Sequence, residues 1–287
     1  MSRSESLFLL APTALYAVYA AWTLVGLFRP GRPRAGLRAA LVGGAVGLHT
    51  VFLAVRAVRV SGLPIQTRLD SLALFLWAVA VVFLMSQRPY RLRGIAPVFW
   101  PVFAAGAVSA WLTAGREPTA ESLDHFWLVL HLVPVYAGYA GFVVAGASAV
   151  GYLVQGRLLR GRSGSAAWRK FPSLESLDRI GRSALSLGFP ALTVGLAAGA
   201  VWAEQASAPL GWAWYADPKV VGGVVVWLFY AAVLHIRLLA RVRGRRAALL
   251  TVAGLLLTAG SFLAAHVYEV QGGRLQGPTS ETRLEGS

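Results

Sequence analysis

Apolar residues in this chain gather in eight long blocks, at roughly 6–28, 39–57, 70–87, 95–114, 126–155, 184–205, 219–239 and 247–268, separated by short polar stretches. None of the blocks shows the two-residue alternation of a half-buried strand. Each is close to the ~20 residues that a helix needs to cross the hydrocarbon core of a bilayer. A helix also satisfies its backbone hydrogen bonds within one segment, which lipid requires. The pattern predicts an all-α fold: a polytopic membrane helical bundle of about eight transmembrane helices. Residues 1–122 supply the first four helices, residues 123–270 the last four, and 271–287 a polar, disordered tail. The first block carries an Ala-rich stretch near Ala17 to Ala21, as a signal peptide would. Basic charge is thin before it and dense after it, the reverse of a signal peptide's layout, so it reads as a span.

Composition narrows the class. The chain is 56% hydrophobic and 14% charged, a balance that leaves little soluble mass. It has no cysteine, which excludes disulfides, thiolate metal sites and thiol redox chemistry within it. A net charge of +15 in a soluble protein would suggest nucleic acid. Here 19 of the 27 basic residues lie in four loops, 29–38, 88–93, 157–182 and 237–246, and only Glu175 and Asp178 of the 12 acids share that side. Such an asymmetry sets topology. It places those loops in the cytoplasm, and both termini and the 202–219 loop on the non-cytoplasmic face of the plasma membrane.

Small residues at four-residue spacing, Gly195 and Gly199 in the sixth span and Ala137, Gly141, Ala145 and Ala149 in the fifth, predict close helix packing. Pro97, Pro101, Pro134 and Pro190 predict kinks. Segment 172–185, PSLESLDRIGRSAL, reads as a short amphipathic helix entering the sixth span, the alternative being a solvated connector lying on the headgroups.

The richest stretch is Trp202 to Lys219, WAEQASAPLGWAWYADPK. It joins two spans and carries Trp202, Trp212, Trp214 and Tyr215. Asp217 before Pro218 is a helix-start signal: the carboxylate caps free N–H groups and proline fits the first turn. The loop is thus pinned against the head of the next helix.

Histidines complete the candidate chemistry. His131 falls about five residues inside the outer end of the fifth span, on the order of 5–8 Å deep, and His266 lies near the outer end of the eighth. Two imidazoles at one level beside an indole shelf suit the two axial positions of a haem iron. Haem faces would stack on Trp212 and Trp214, and its propionates would turn to water and to Lys219 or Arg116. The alternatives are a neutral histidine hydrogen-bonded between helices and an interfacial aromatic belt, which needs no ligand and suits Trp111 and Trp127. His49, inside the second span, and His235, near the cytoplasmic end of the seventh, form a second pair. His49 lies about eleven residues, roughly 16 Å, above Arg38, so sequence does not bring this pair to one depth.

The ordered run LDRIGRSALSLGFPALTVGLAAGAVWAEQ, the Trp-rich loop, DPK and VVVWLFYAAVLHIR resembles the cytochrome c assembly family, which includes CcsA/ResC-type, CcmC and HemX-like proteins. The likeness extends from about Leu123 to Tyr268, and LHTVFLAVRAVRVSG is similar to an early histidine-bearing helix of relatives. The resemblance implies haem b held at the outer face by two histidines flanking a WWD-type loop, for attachment to apocytochrome c. His131 and His266 match those histidines. Trp202, Gly211, Trp214, Asp217, Pro218 and Lys219 match the loop, and His235 and His49 match the transmembrane histidines. It also implies a membrane partner protein of the assembly system and a separate reductant for the acceptor thiols. No catalytic acid, base or nucleophile stands out, so the chain is at most the haem-presenting subunit of a haem lyase.

The pattern departs at Ala216, where the family usually has Trp, at Val220, where it usually has Glu, and at the inserted Ser207–Leu210. These departures also suit a HemX-like regulator of tetrapyrrole synthesis that delivers no haem. A small-solute transporter would need paired broken helices or mid-depth acids, which the spans lack.

Overall fold

The computed structural model describes residues 3–28, 35–65, 67–90, 96–113, 125–160, 172–207, 214–239 and 242–275. Among these residues every long element is helical: α1 (Arg3–Phe28), α2 (Ala35–Arg59), α3 (Arg68–Tyr90), α4 (Ala96–Thr113), α5 (His125–Arg160), α6 (Leu174–Ser207), α7 (Pro218–Leu238) and α8 (Arg245–Leu275). A one-turn 3-10 helix, Trp214–Ala216, precedes α7. By length and composition Ala39–Arg59, Phe126–Arg160, Leu174–Gln205 and Pro218–Leu238 are able to cross a membrane, and Leu10–Gly26 and Leu69–Met85 are shorter apolar stretches. The chain is a multi-pass membrane helical bundle.

Segment 172–185 is helical from Leu174 and leads into the sixth span, as its pattern predicts. It forms the first turns of the continuous 34-residue α6, begun by Ser173, whose Oγ accepts from the Ser176 N–H at 3.2 Å. Leu177, Ile180 and Leu185 on this stretch are buried, so its apolar face is consumed by helix packing. Pro97 lies in the first turn of α4, where its missing N–H has no intrahelical partner to lose. Pro101, Pro134 and Pro190 lie within helices. Helix α8 runs to Leu275, past the start of the predicted tail, whose residues from 276 lie outside the described ones.

Helices α5, α6, α7 and α8 close a ring in which α5 meets α6 and α8, α6 meets α7, and α7 meets α8. Helices α1 to α4 pack beside it, with α3 and α4 against α5. The α5–α6 seam is the tightest. A Cβ on Gly138 would stand 2.9 Å from the Gly188 carbonyl oxygen, and one on Gly141 2.9 Å from that of Ala184. Glycine is required there because the two backbones touch. Lipid gives helices no hydrophobic reason to associate, so such close contact supplies the attraction. Ala145 is buried in the seam but Ala137 is exposed, so Gly138 occupies the seam where spacing had pointed to Ala137.

The first four helices enclose an aromatic core. Phe83 stacks on Phe99 at 3.6 Å, and Tyr16 on Trp100 at 5.5 Å. Four intramembrane hydroxyls are satisfied locally: Ser148, Thr193, Thr251 and Thr258 each donate to a carbonyl four residues back.

Candidate functional site

The site is built at the end of the ring where α6 leads toward α7. Helices α5 and α6 run antiparallel in constant register: Val135 meets Gly195, and His131 meets Gly199. A Cβ on Gly199 would collide with the imidazole of His131, reaching 2.7 Å from its Cε1 and nearer still to Nδ1. The glycine is therefore the seat of that ring. The ring's Nδ1 lies 2.7 Å from the Gly195 carbonyl oxygen. A carbonyl only accepts, so Nδ1 carries the proton and donates it, which leaves the Nε2 lone pair free. Metal-ligating histidines are held in this way, with the second nitrogen tied to a carbonyl or carboxylate. His131 is half-buried. It lies nearly parallel to Trp202, with ring centroids 6.3 Å apart and planes at 21°.

Past the loop the chain is fixed again at Trp214. The Asp217 N–H donates to the Trp214 carbonyl at 3.1 Å. Asp217 Oδ1 accepts from the Lys219 N–H at 2.7 Å, and Pro218 fills the first helical position. The residue-level logic is that of an N-cap: extended backbone at Asp217 (φ −60°, ψ 129°) and a side-chain acceptor for one orphan N–H. Trp214 and Asp217 are half-buried, while Tyr215, Ala216 and Lys219 are exposed.

Backbone register gives the level of the last helix. Gly223 meets Leu196 across α6 and α7, and Gly222 meets Ser261 across α7 and α8. Counting along the antiparallel pairs, Gly199 is level with about position 220 of α7 and 263 of α8. The His266 backbone then stands about three residues, or roughly 5 Å, nearer the loop, level with Asp217. The His266 side chain lies outside the described residues, as do Trp212, Gly211 and Arg116.

His131, Trp202, Trp214, Asp217 and Lys219 thus share one end of the bundle with the His266 backbone. His49 and His235 are not brought together. His49 is 2% exposed, mid-way along α2. Its Nδ1 is 3.5 Å from the Tyr16 hydroxyl, and its Nε2 has no hydrogen-bond partner among the described residues. His235 is exposed on α7, which packs on α6 and α8, whereas α2 packs on α1 and α3.

The glycine pair Gly195 and Gly199 reads from sequence as packing alone. The signal that would have joined it to His131 is depth, because both lie a few residues inside the same end of adjacent spans. A further structural pair escaped the sequence reading. Arg56 of α2 grips Asp70 of α3 along one guanidinium edge, Nε and Nη2 donating to the two carboxylate oxygens at 2.9 and 2.6 Å, and Thr67 adds a third bond to the same carboxylate.

The profile of the family described as cytochrome C assembly protein matches residues 66–267. The chain is similar to the "Cytochrome c biogenesis protein CcsA" of Synechococcus sp. strain CC9605, at 31% identity over 261 residues, covering 82% of this chain and 84% of that protein. It is likewise similar to the protein of that name from Synechococcus sp. strain CC9902, at 31% over 273 residues (86% and 87% covered). The Microcystis aeruginosa protein of the same name is 27% identical over 264 residues (75% and 80%).

Proposed function

Since the chain belongs to the cytochrome c assembly protein family, we propose that it handles haem for c-type cytochrome biogenesis, presenting haem b for attachment to apocytochrome c. His131 and His266 are the axial ligands in this reading. Trp202, Trp212 and Trp214 form the shelf against the apolar macrocycle, and Lys219 stands near the propionates. Asp217 shapes the site as the cap that fixes Trp214 and the head of α7. The observation that carries the reading is the state of His131: a carbonyl takes its Nδ1 proton, a glycine makes room for its ring, and an indole lies alongside.

Haem is the cargo, and this chain's residues bind and orient it. The Gly195 carbonyl sets the tautomer and the orientation of the ring, and makes its free nitrogen more basic. With no cysteine, the chain cannot reduce the acceptor thiols, so a separate partner supplies that reductant and a membrane partner of the assembly system completes the machine. The loop faces the non-cytoplasmic side of the plasma membrane, both termini lie on that side, and the arginine-rich loops lie in the cytoplasm. His49 and His235 take no part in the outer site.

The test is an absorption spectrum of the detergent-purified chain. The wild type should show the bands of bis-imidazole haem, and His131→Ala combined with His266→Ala should lose them. Retention of the same bands by the double variant refutes the site. Reporter fusions at 208–213 and 161–171 should report opposite sides of the membrane.

A further inference from the structure

The other end of the ring holds a second feature. A cleft of about 430 Å³ opens where α5, the first turns of α6 and the turn before α8 meet, lined by Tyr152, Glu175, Asp178, Arg179, Arg182 and Arg243 among others. Both acids are already engaged. Asp178 Oδ1 accepts from Arg237 at 2.6 Å, a guanidinium whose side chain is 4% exposed and which also donates to Thr251 at 3.1 Å. Glu175 is bonded at 2.7 Å to Arg179 four residues on. Among the described residues, Arg182 and Arg243 meet no carboxylate. Arg182 is half-buried and near enough to Arg237 for the two charges to repel.

The cleft therefore gathers Arg182 and Arg243 beside Asp178, whose charge Arg237 already takes up. That leaves positive charge uncompensated at the mouth of a partly enclosed space. Two helix N-termini add to it: α6 begins at Leu174, and α8 at Arg245 after Gly244. Gly244 has φ 74°, the left-handed backbone that lets the chain turn beside Tyr152. Arginines that only set topology need no cleft, since water solvates them. These are gathered in one, and the missing component is an oxyanion. Guanidinium forks and helix N-termini both suit phosphate, and basic pockets between membrane helices hold anionic headgroups.

We propose that this cleft binds a phosphate group, with Arg182 and Arg243 as its principal contacts. The phosphate belongs either to an anionic lipid headgroup or to a soluble phosphate compound. The test uses the full chain in neutral detergent, titrated separately with phosphatidylglycerol, phosphatidylcholine and inorganic phosphate, with bound ligand counted by native mass spectrometry. Phosphatidylglycerol retained well above phosphatidylcholine, with little inorganic phosphate, identifies a lipid headgroup. Inorganic phosphate bound as well as phosphatidylglycerol identifies a soluble ligand. In either case Arg243→Gln, at an exposed position, should weaken binding about tenfold, the loss expected for one charge-assisted contact, and adding Arg182→Gln should weaken it further. Equal retention of both lipids with no phosphate bound, or binding undiminished in the double variant, overturns the proposal.

Discussion

Replacing Gly199 by alanine tests the seat of His131 without touching the histidine. The new methyl group would lie 2.7 Å from Cε1 and 3.3 Å from Cγ of the ring. Carbon contacts settle at about 3.5–4.0 Å, so the imidazole must withdraw by roughly 1 Å. Overpacking of this kind costs about 1–3 kcal/mol. Strain on the 2.7 Å bond to Gly195 adds about 0.6–2 kcal/mol, the range for hydrogen bonds between membrane helices. Against this, alanine is the better helix former by about 1 kcal/mol. The net expectation is a loss of about 0.6–4 kcal/mol in the wild-type background. In His131→Ala the three nearest atoms are gone, so the same substitution should become neutral or stabilising by up to about 1 kcal/mol. A double-mutant cycle, read by denaturant unfolding in detergent, measures that reversal. Gly188→Ala is the control, because its Cβ meets the Gly138 carbonyl oxygen at 2.9 Å and should cost the same with or without His131. Haem affinity should fall about tenfold in Gly199→Ala, corresponding to ~1.4 kcal/mol of lost ligation. An equal cost for Gly199→Ala in both backgrounds would sink the packing argument. Unchanged haem binding would sink the assignment of His131 as a ligand.

Three further outcomes follow from the geometry. Asp217→Ala should cost about 1 kcal/mol and speed proteolysis of the preceding loop, whereas Asp217→Asn, still a good cap, should keep most of the stability. Asp70→Ala should cost about 3–5 kcal/mol in thermal or denaturant unfolding, because it removes the buried carboxylate that pairs with the Arg56 charge, while replacing Arg56 and Asp70 together by apolar residues should cost much less. Trp227→Phe should lose about 0.6–2 kcal/mol through the indole N–H that donates to Thr193 Oγ1 at 2.9 Å, and Thr193→Val should show a similar loss that does not add to it.

Depth was legible in the sequence and azimuth was not. Counting residues from the ends of the apolar blocks locates each span and places His131 a turn and a half inside one of them, because the helix rise is fixed and the bilayer has a known thickness. The cap at Asp217 was legible for a similar reason, since its chemistry is local to three residues. Which face of a helix meets which neighbour depends on contacts between segments far apart in the chain. That is why Ala137 looked like a seam residue and is exposed, while Gly138 beside it is indispensable. A helix turns about 100° per residue, so an error of one position in a nearly all-apolar span moves a residue from the seam to lipid, and no polar neighbour marks the difference.

The same reasoning explains why His131 and His49 diverge although both are histidines in spans. A single imidazole inside a bundle needs one partner for its N–H, and what remains decides its use. His131 gives its proton to the main-chain carbonyl of Gly195, at the level of the Asp217 helix cap and beside the Trp202 indole. Its second nitrogen is left for a ligand. His49 sits beside Tyr16 of α1, edge-on at 6.0 Å, and Phe52 of its own helix, 2% exposed and roughly 15–21 Å from the ends of α2. A planar macrocycle reaching His49 would have to part α1 from α2, breaking the packing of Tyr16 on Trp100 and Phe103. At His131 the space of the absent Gly199 methyl group is taken by the imidazole itself, which lies at the loop end of the bundle rather than in its middle.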